Sequence, residues 1–111
     1  MDISVTGKHV DVGEALRGHV EKQLALCVGK YFDNPLDATV TFSREAHEFR
    51  ADITVHVLRG TVMQAQGSAT DPYVAFDAAL ERAAKQLRRH KRKMRDYHKD
   101  SRGSADGASQ D

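Results

Sequence analysis

Long apolar runs are missing from this chain: no stretch approaches the roughly 18 residues that a membrane-spanning helix needs. The opening, MDISVTGKHV, also lacks a basic segment followed by an apolar one, so no secretory signal is expected and the cytoplasm is the expected location. Cysteine occurs once, at Cys27, which excludes an internal disulfide and suits a reducing compartment. The six histidines, His9, His19, His47, His56, His90 and His98, fall at no metal-ligand spacing, so neither a metal nor a cofactor is expected. No nucleophile motif is present, and no glycine-rich loop precedes a Lys-Ser/Thr pair. An enzyme with catalytic residues and a small-molecule substrate is therefore not the expectation. At 111 residues the chain has room for one modest core and no second domain.

What is present in excess is positive charge, in one place. The formal net charge is only +1, yet RAAKQLRRHKRKMR, residues 82–95, packs eight Lys or Arg into fourteen positions. Residues 1–80 carry seven basic side chains against eleven acidic, 81–99 carry nine against two, and 100–111 are acidic again. Near-neutrality is thus an average over a polarised molecule, and a concentrated positive potential bears on polyanionic partners.

Hydrophobic periodicity predicts the elements. DISVT alternates Ile3 and Val5 with polar neighbours, a short strand. Asp11 followed three residues later by Glu14 resembles a capping box and predicts a helix start there. Leu16, Val20, Leu24, Cys27 and Tyr31 follow at helical spacing as one apolar stripe, with Gly29 and Asp33-Asn34-Pro35 as stop signals. From Leu36 the period becomes two: Ala38, Val40 and Phe42 form one strand, and Phe49, Ala51, Ile53, Val55 and Val57 the next. A weaker strand at 61–69 completes a meander whose turns fall at 44–48 and 59–60, and Gly7 and Gly67 read as turn or bulge positions. Asp71 suits an N-cap and Pro72 the first position of a long helix. On it Phe76, Leu80, Ala83, Leu87 and Met94 fall within one arc, opposite Arg82, Lys85, Arg88, Arg89, Arg92, Lys93 and Arg95. The order β-α-β-β-β-α predicts an α+β domain, a four-stranded, mainly antiparallel sheet with two helices on one face. Whether the first strand pairs in parallel with a later one stays open. The domain is expected over 1–98, with 99–111, rich in Ser, Gly and Asp, as a disordered polar tail or the opening of a linker.

A charged helix is ordinarily a solvated face. This one has no Asp or Glu between Arg82 and Arg95, so like charges at i, i+3 and i+4 repel without relief inside the chain. That favours a polyanionic partner. Nucleic acid is preferred to a membrane, because the apolar arc is needed for the core and holds few large residues. The chain has no zinc-finger spacing, helix-turn-helix signal, RNP-type strand or KH-type GxxG loop, so recognition of the backbone and shape of a structured RNA is the expectation. The alternative is a protein-interaction module, such as a transcription modulator, whose basic helix docks on an acidic partner.

The segments TGKHVDVGEALRGHVEKQL, KYF and ATDPYVAFDAALERAAKQLRRHKRK resemble the bacterial ribosome hibernation-promoting factor family, also called ribosome-associated inhibitors. The most specific parts are the TG[KR]H turn and the D-x-Y-x-A-hydrophobic-D opening of the last helix, met by Asp71, Tyr73, Ala75, Phe76 and Asp77. The resemblance, over about residues 1–95, implies a fold similar to a double-stranded-RNA-binding domain. It also implies a non-enzymatic stress and stationary-phase factor bound to the small ribosomal subunit and its rRNA. Such a factor occupies the decoding channel, competes there with mRNA, tRNA and initiation factors, and inhibits translation while promoting hibernation. The rRNA-binding residues implied are Lys22 on the first helix, Arg82, Lys85, Arg88, Arg89 and Arg92 on the second, and Lys8 and His9 in the turn. The family has short forms and long forms with a dimerising C-terminal domain; residues 101–111 resemble the start of a long form's linker and equally suit the tail of a short form.

Overall fold

The computed structural model describes residues 1–32, 35–58 and 60–100, with side chains for all of these except Leu58 and 92–100. The elements are β1 (Asp2–Lys8), α1 (Glu14–Tyr31), β2 (Asp37–Glu45), β3 (Glu48–Leu58), β4 (Thr61–Ala69) and α2 (Pro72–Asp100). Their order is the expected one, and the strands form one sheet in the order β1-β2-β3-β4. The question left open for β1 is answered: it pairs parallel with β2, with α1 as the crossover that a parallel pair requires. The pairs β2–β3 and β3–β4 are antiparallel, the predicted meander.

Register follows from the alternation. Ile3, Ala38, Val55 and Met63 stand in one cross-strand row, and Val5, Val40, Ile53 and Ala65 in the next, all on the inner face. A one-residue slip of any strand would turn its apolar set to water. The inner face and both helices share one core, in which Phe42, Phe76, Leu24, Ile53 and Leu87 are the largest fully buried side chains. The outer face is polar: Ser4, Thr39, Thr54 and Gln64 form one of its rows, and Lys8, Ser43, Arg50 and Ser68 another.

Several local expectations are corrected. The cap of α1 is Gly13, in extended conformation and without a side-chain hydrogen bond, so Asp11 and Glu14 make no capping box. Val10 and Val12 pack against the core, and the chain enters the helix from an extended Gly13, so that Glu14 is the first helical residue rather than the third. Gly29 does not end α1, because Val28 is fully buried and Tyr31 half-buried against the core. The helix closes at Phe32, whose N–H donates to the Val28 carbonyl at 2.9 Å. Asp33, Asn34 and Arg59, expected in turns, lie outside the described residues.

The β2–β3 turn is only Ala46 and His47, with Ala46 at φ 56°, because Arg44 and Glu45 stay paired in β2. Gly7 and Gly67 are strand residues rather than turn or bulge positions; the irregularity in the sheet falls between His56 and Leu58.

The cap of α2 is as predicted. The Asp71 carboxylate accepts from the Tyr73 N–H at 2.7 Å, and the Asp71 carbonyl accepts from Ala75 at 2.9 Å. α2 continues to Asp100, two residues into the stretch expected as tail, while 101–111 lie outside the described residues.

Candidate nucleic-acid interface

The direction of α2 fixes where its charges lie. Its N-terminus stands at the sheet end where Phe49 pairs with Ala69. From there it runs over β4, with Gly67 against Ala75 and Ala79, Gln66 beside Arg82, and Gln64 beside Gln86. Helices rise about 1.5 Å per residue and strands about 3.3 Å, so Thr61, three residues beyond Gln64, falls level with roughly residue 93. The last two turns of α2 therefore run past the end of the sheet. Ala75, Phe76, Ala79, Ala83 and Leu87 are buried, and the three alanines let the helix backbone approach the sheet. Leu80 is half-buried, and the side chain of Met94 is outside the described residues.

Lys85, Arg88 and Arg89 are exposed along this helix, and Arg88 and Lys85 lie one turn or less apart. Among the described residues, no salt bridge involves them. Lys22 is exposed on α1, away from the buried row of Leu16, Val20, Leu24 and Val28. Arg82 is exposed but engaged: its Nη1 donates to the Gln66 carbonyl at 2.6 Å. Arg92 lies on α2 and its side chain is outside the described residues. Lys30, which the periodicity does not single out, is exposed in the last turn of α1 and lines a groove with Leu80 of α2. Its signal is a lysine at a helix C-terminus, where the dipole favours a cation.

Lys8 and His9 are not part of this group. They line a separate cleft of about 540 Å³ on the outer sheet face, with Arg44 and Arg50, at the end where α2 begins. From Pro72 to Arg88 the helix rises roughly 24 Å, so the turn and the basic run lie far apart. His9 has φ 64°, in the left-handed region, which turns the chain sharply out of β1. Arg50 there is balanced by carboxylates: it hydrogen-bonds Asp52 at 3.2 Å and Glu45 at 3.4 Å, and also Gln66, and the Asp52 contact raises its pKa. Arg44 lies over the Phe49 ring, 5.1 Å from its centroid.

The helices meet on a further polar contact. His19 Nε2 and Asp77 Oδ1 are 3.1 Å apart, and the imidazole packs tilted against the Tyr73 ring and edge-on to Phe76, at 5.2 and 5.7 Å between centroids. Tyr73 and Asp77, which belong to the motif that opens α2, thus tie α2 to α1. Cys27 is half-buried, and burial raises its thiol pKa while the nearby Lys30 opposes the shift. Among the described residues no three His, Cys, Asp or Glu side chains cluster as metal ligands, and no helix is long and apolar enough to cross a membrane.

A basic helix on a β-α-β-β-β-α scaffold defines the class, and comparison with known proteins supplies the family. Residues 3–95 match the family model described as "Sigma 54 modulation protein / S30EA ribosomal protein". The chain is similar to the ribosome hibernation promotion factor of Rhizobium meliloti (strain 1021), at 43% identity over 98 residues, covering 88% of this chain and 52% of that protein. It is 32% identical over 97 residues to the ribosome hibernation promoting factor of Escherichia coli (strain K12), covering 87% of this chain and 100% of that protein. Among solved structures, the Thermus thermophilus Protein Y N-terminal domain superposes with a TM-score of 0.72 at 33% identity, covering 81% of this chain and 99% of that one. The chain belongs to this ribosome hibernation factor family. It spans about half the length of the Rhizobium relative.

Proposed function

We propose that this chain is a non-enzymatic factor of stress and stationary phase that binds the small ribosomal subunit through its rRNA, in the cytoplasm. It occupies the decoding channel, excludes mRNA, tRNA and initiation factors, and so inhibits translation and promotes hibernation. The observation that carries the reading is the row of exposed cations Lys85, Arg88 and Arg89, with no salt-bridge partner among the described residues, on a helix whose other face is built into the core. Cations so placed fit phosphates without any change in the fold, and polyanion binding relieves the repulsion between them. Lys22 and Arg92 extend the contact, Arg82 joins it with the donors that Gln66 leaves free, and Lys8 and His9 form a second, separate contact. Residues 1–98 act as the ribosome-binding domain, with the polar stretch from residue 99 as tail or linker.

The test is co-sedimentation of the chain with isolated small and large subunits. Salt-sensitive pelleting with the small subunit is expected, blocked by pre-bound mRNA and initiator tRNA. The variant Lys85→Glu/Arg88→Glu/Arg89→Glu should stay folded by circular dichroism and lose at least tenfold in affinity. Full binding by the folded triple variant would overturn the assignment of this face. Pelleting unaffected by mRNA and tRNA would overturn the decoding-channel site. Failure to pellet at low salt, with nuclease-resistant capture by an acidic protein, would favour the interaction-module alternative.

A further inference from the structure

The sheet is open, and β1 and β4 are its two edges. An open edge presents unpaired backbone groups that another strand can join, and proteins usually blunt it with charge, proline, a bulge or a cover. β4 has little of this protection in its own sequence. TVMQAQGSA runs for nine residues with no charged residue and no proline, and Val62 is 45% exposed. Such a strand is a template for its own kind.

Side chains from both helices close these edges. Arg82 Nη1 donates to the Gln66 carbonyl at 2.6 Å, and Gln86 Nε2 donates to the Gln64 carbonyl at 2.6 Å. On the other edge, Arg17 Nη1 of α1 donates to the Val5 carbonyl at 2.9 Å. The β4 pair matches in spacing: two strand residues advance about 6.6 Å and four helix residues about 6 Å. Alternate residues of an antiparallel strand turn their backbone groups away from the paired neighbour, so Gln64 and Gln66 offer the acceptors that an incoming strand would use. The helix donors occupy those acceptors.

We propose that the outer edge of β4 is a latent pairing surface for β4 of a second copy of this chain, antiparallel about a two-fold axis, and that Arg82 and Gln86 hold it shut. Arg17 does the same for β1. The occupant follows from the strand itself: an antiparallel strand edge is self-complementary in donors and acceptors, and no charged residue within β4 would face its own copy, while the cations of α2 beside it add to what keeps the wild type single. The chain then meets its partners as a single copy, and Arg82 serves first as a positioning residue of the fold and only secondarily as a phosphate contact.

The test is sedimentation equilibrium of the full chain over a concentration series at moderate salt. The variant Arg82→Met/Gln86→Met removes both donors while keeping helix-forming side chains of similar reach. Its mass should rise with concentration toward twice that of one chain, and adding Val62→Lys, which places a charge on the edge, should return it to one. Wild type and the control Lys85→Met/Arg89→Met, which loses more charge but no edge contact, should remain single. Should the double variant fail to fold, Arg82→Met and Gln86→Met are read singly in the same way. A folded variant of single-chain mass, equal association by the control, or a wild type already dimeric would each overturn the proposal.

Discussion

Two glycines show how a residue is chosen by what stands over it. Gly7, Phe42, Ala51 and Gly67 form one cross-strand row on the inner face, large in the middle and empty at both ends. A Cβ on Gly67 would lie 2.6 Å from the Ala75 carbonyl oxygen and 2.6 Å from the Ala79 nitrogen, and one on Gly7 would lie 2.1 Å from the Val10 carbonyl oxygen. These contacts are with backbone, which moves only if a helix or loop moves with it. Gly67→Ala is therefore expected to cost about 1–3 kcal/mol as an overpacked site. That is a fall of roughly 4–8 °C in Tm for each kcal/mol, read by thermal unfolding. Gly29→Ala, exposed within α1 with nothing in the way of a Cβ, should instead raise Tm, since glycine in a helix interior costs up to about 1 kcal/mol against alanine.

At the level of elements, the two helices begin differently although both are preceded by an aspartate. Asp71 precedes Pro72 and its carboxylate reaches the Tyr73 N–H, an N-cap bond that removes one of the unpaired donors of the first turn. Asp11 sits two residues before the Gly13 cap of α1 and makes no cap bond. Asp71→Ala should accordingly lower stability by about 1 kcal/mol. Asp11→Ala should stay within about 0.5 kcal/mol of the wild type, both measured by urea unfolding. A sequence pattern specifies the donor and acceptor types of a cap, but which residue is the cap depends on where the chain enters the helix. In α1 that point is the extended Gly13, just past Val10 and Val12, which pack on the core.

On the scale of the whole molecule, charge and core are divided between opposite faces of one helix. If the cationic face meets about four to six phosphates, log K for rRNA should fall against log salt with a slope of about −3 to −5. Each cation removed, beginning with Lys85, Arg88 or Arg89, should reduce that slope by about 1, measured by binding titrations across a salt series. Arg82→Gln should reduce it by less, because its guanidinium already donates to the Gln66 carbonyl. Lys8 and His9 stand at the other end of the molecule, so their removal should leave the contribution of α2 unchanged.

The order of elements, the inward face of β2 and β3, the cap of α2 and the polarised charge were legible in the sequence, because each follows from spacing along a few neighbouring residues. Alternation puts Val40 and Ile53 on one face whatever lies beside them, and a run of Lys and Arg without acids is positive in any fold. The tertiary structure decided the rest: the parallel pairing of β1, the true start and end of α1, the close approach that requires Gly67, and the difference between Lys85 and Arg82. Those two cations are equivalent in composition and stand three residues apart on one helix. They differ because the Gln66 carbonyl at the edge of β4 lies within reach of one of them, and the position of that carbonyl depends on how the four strands are ordered.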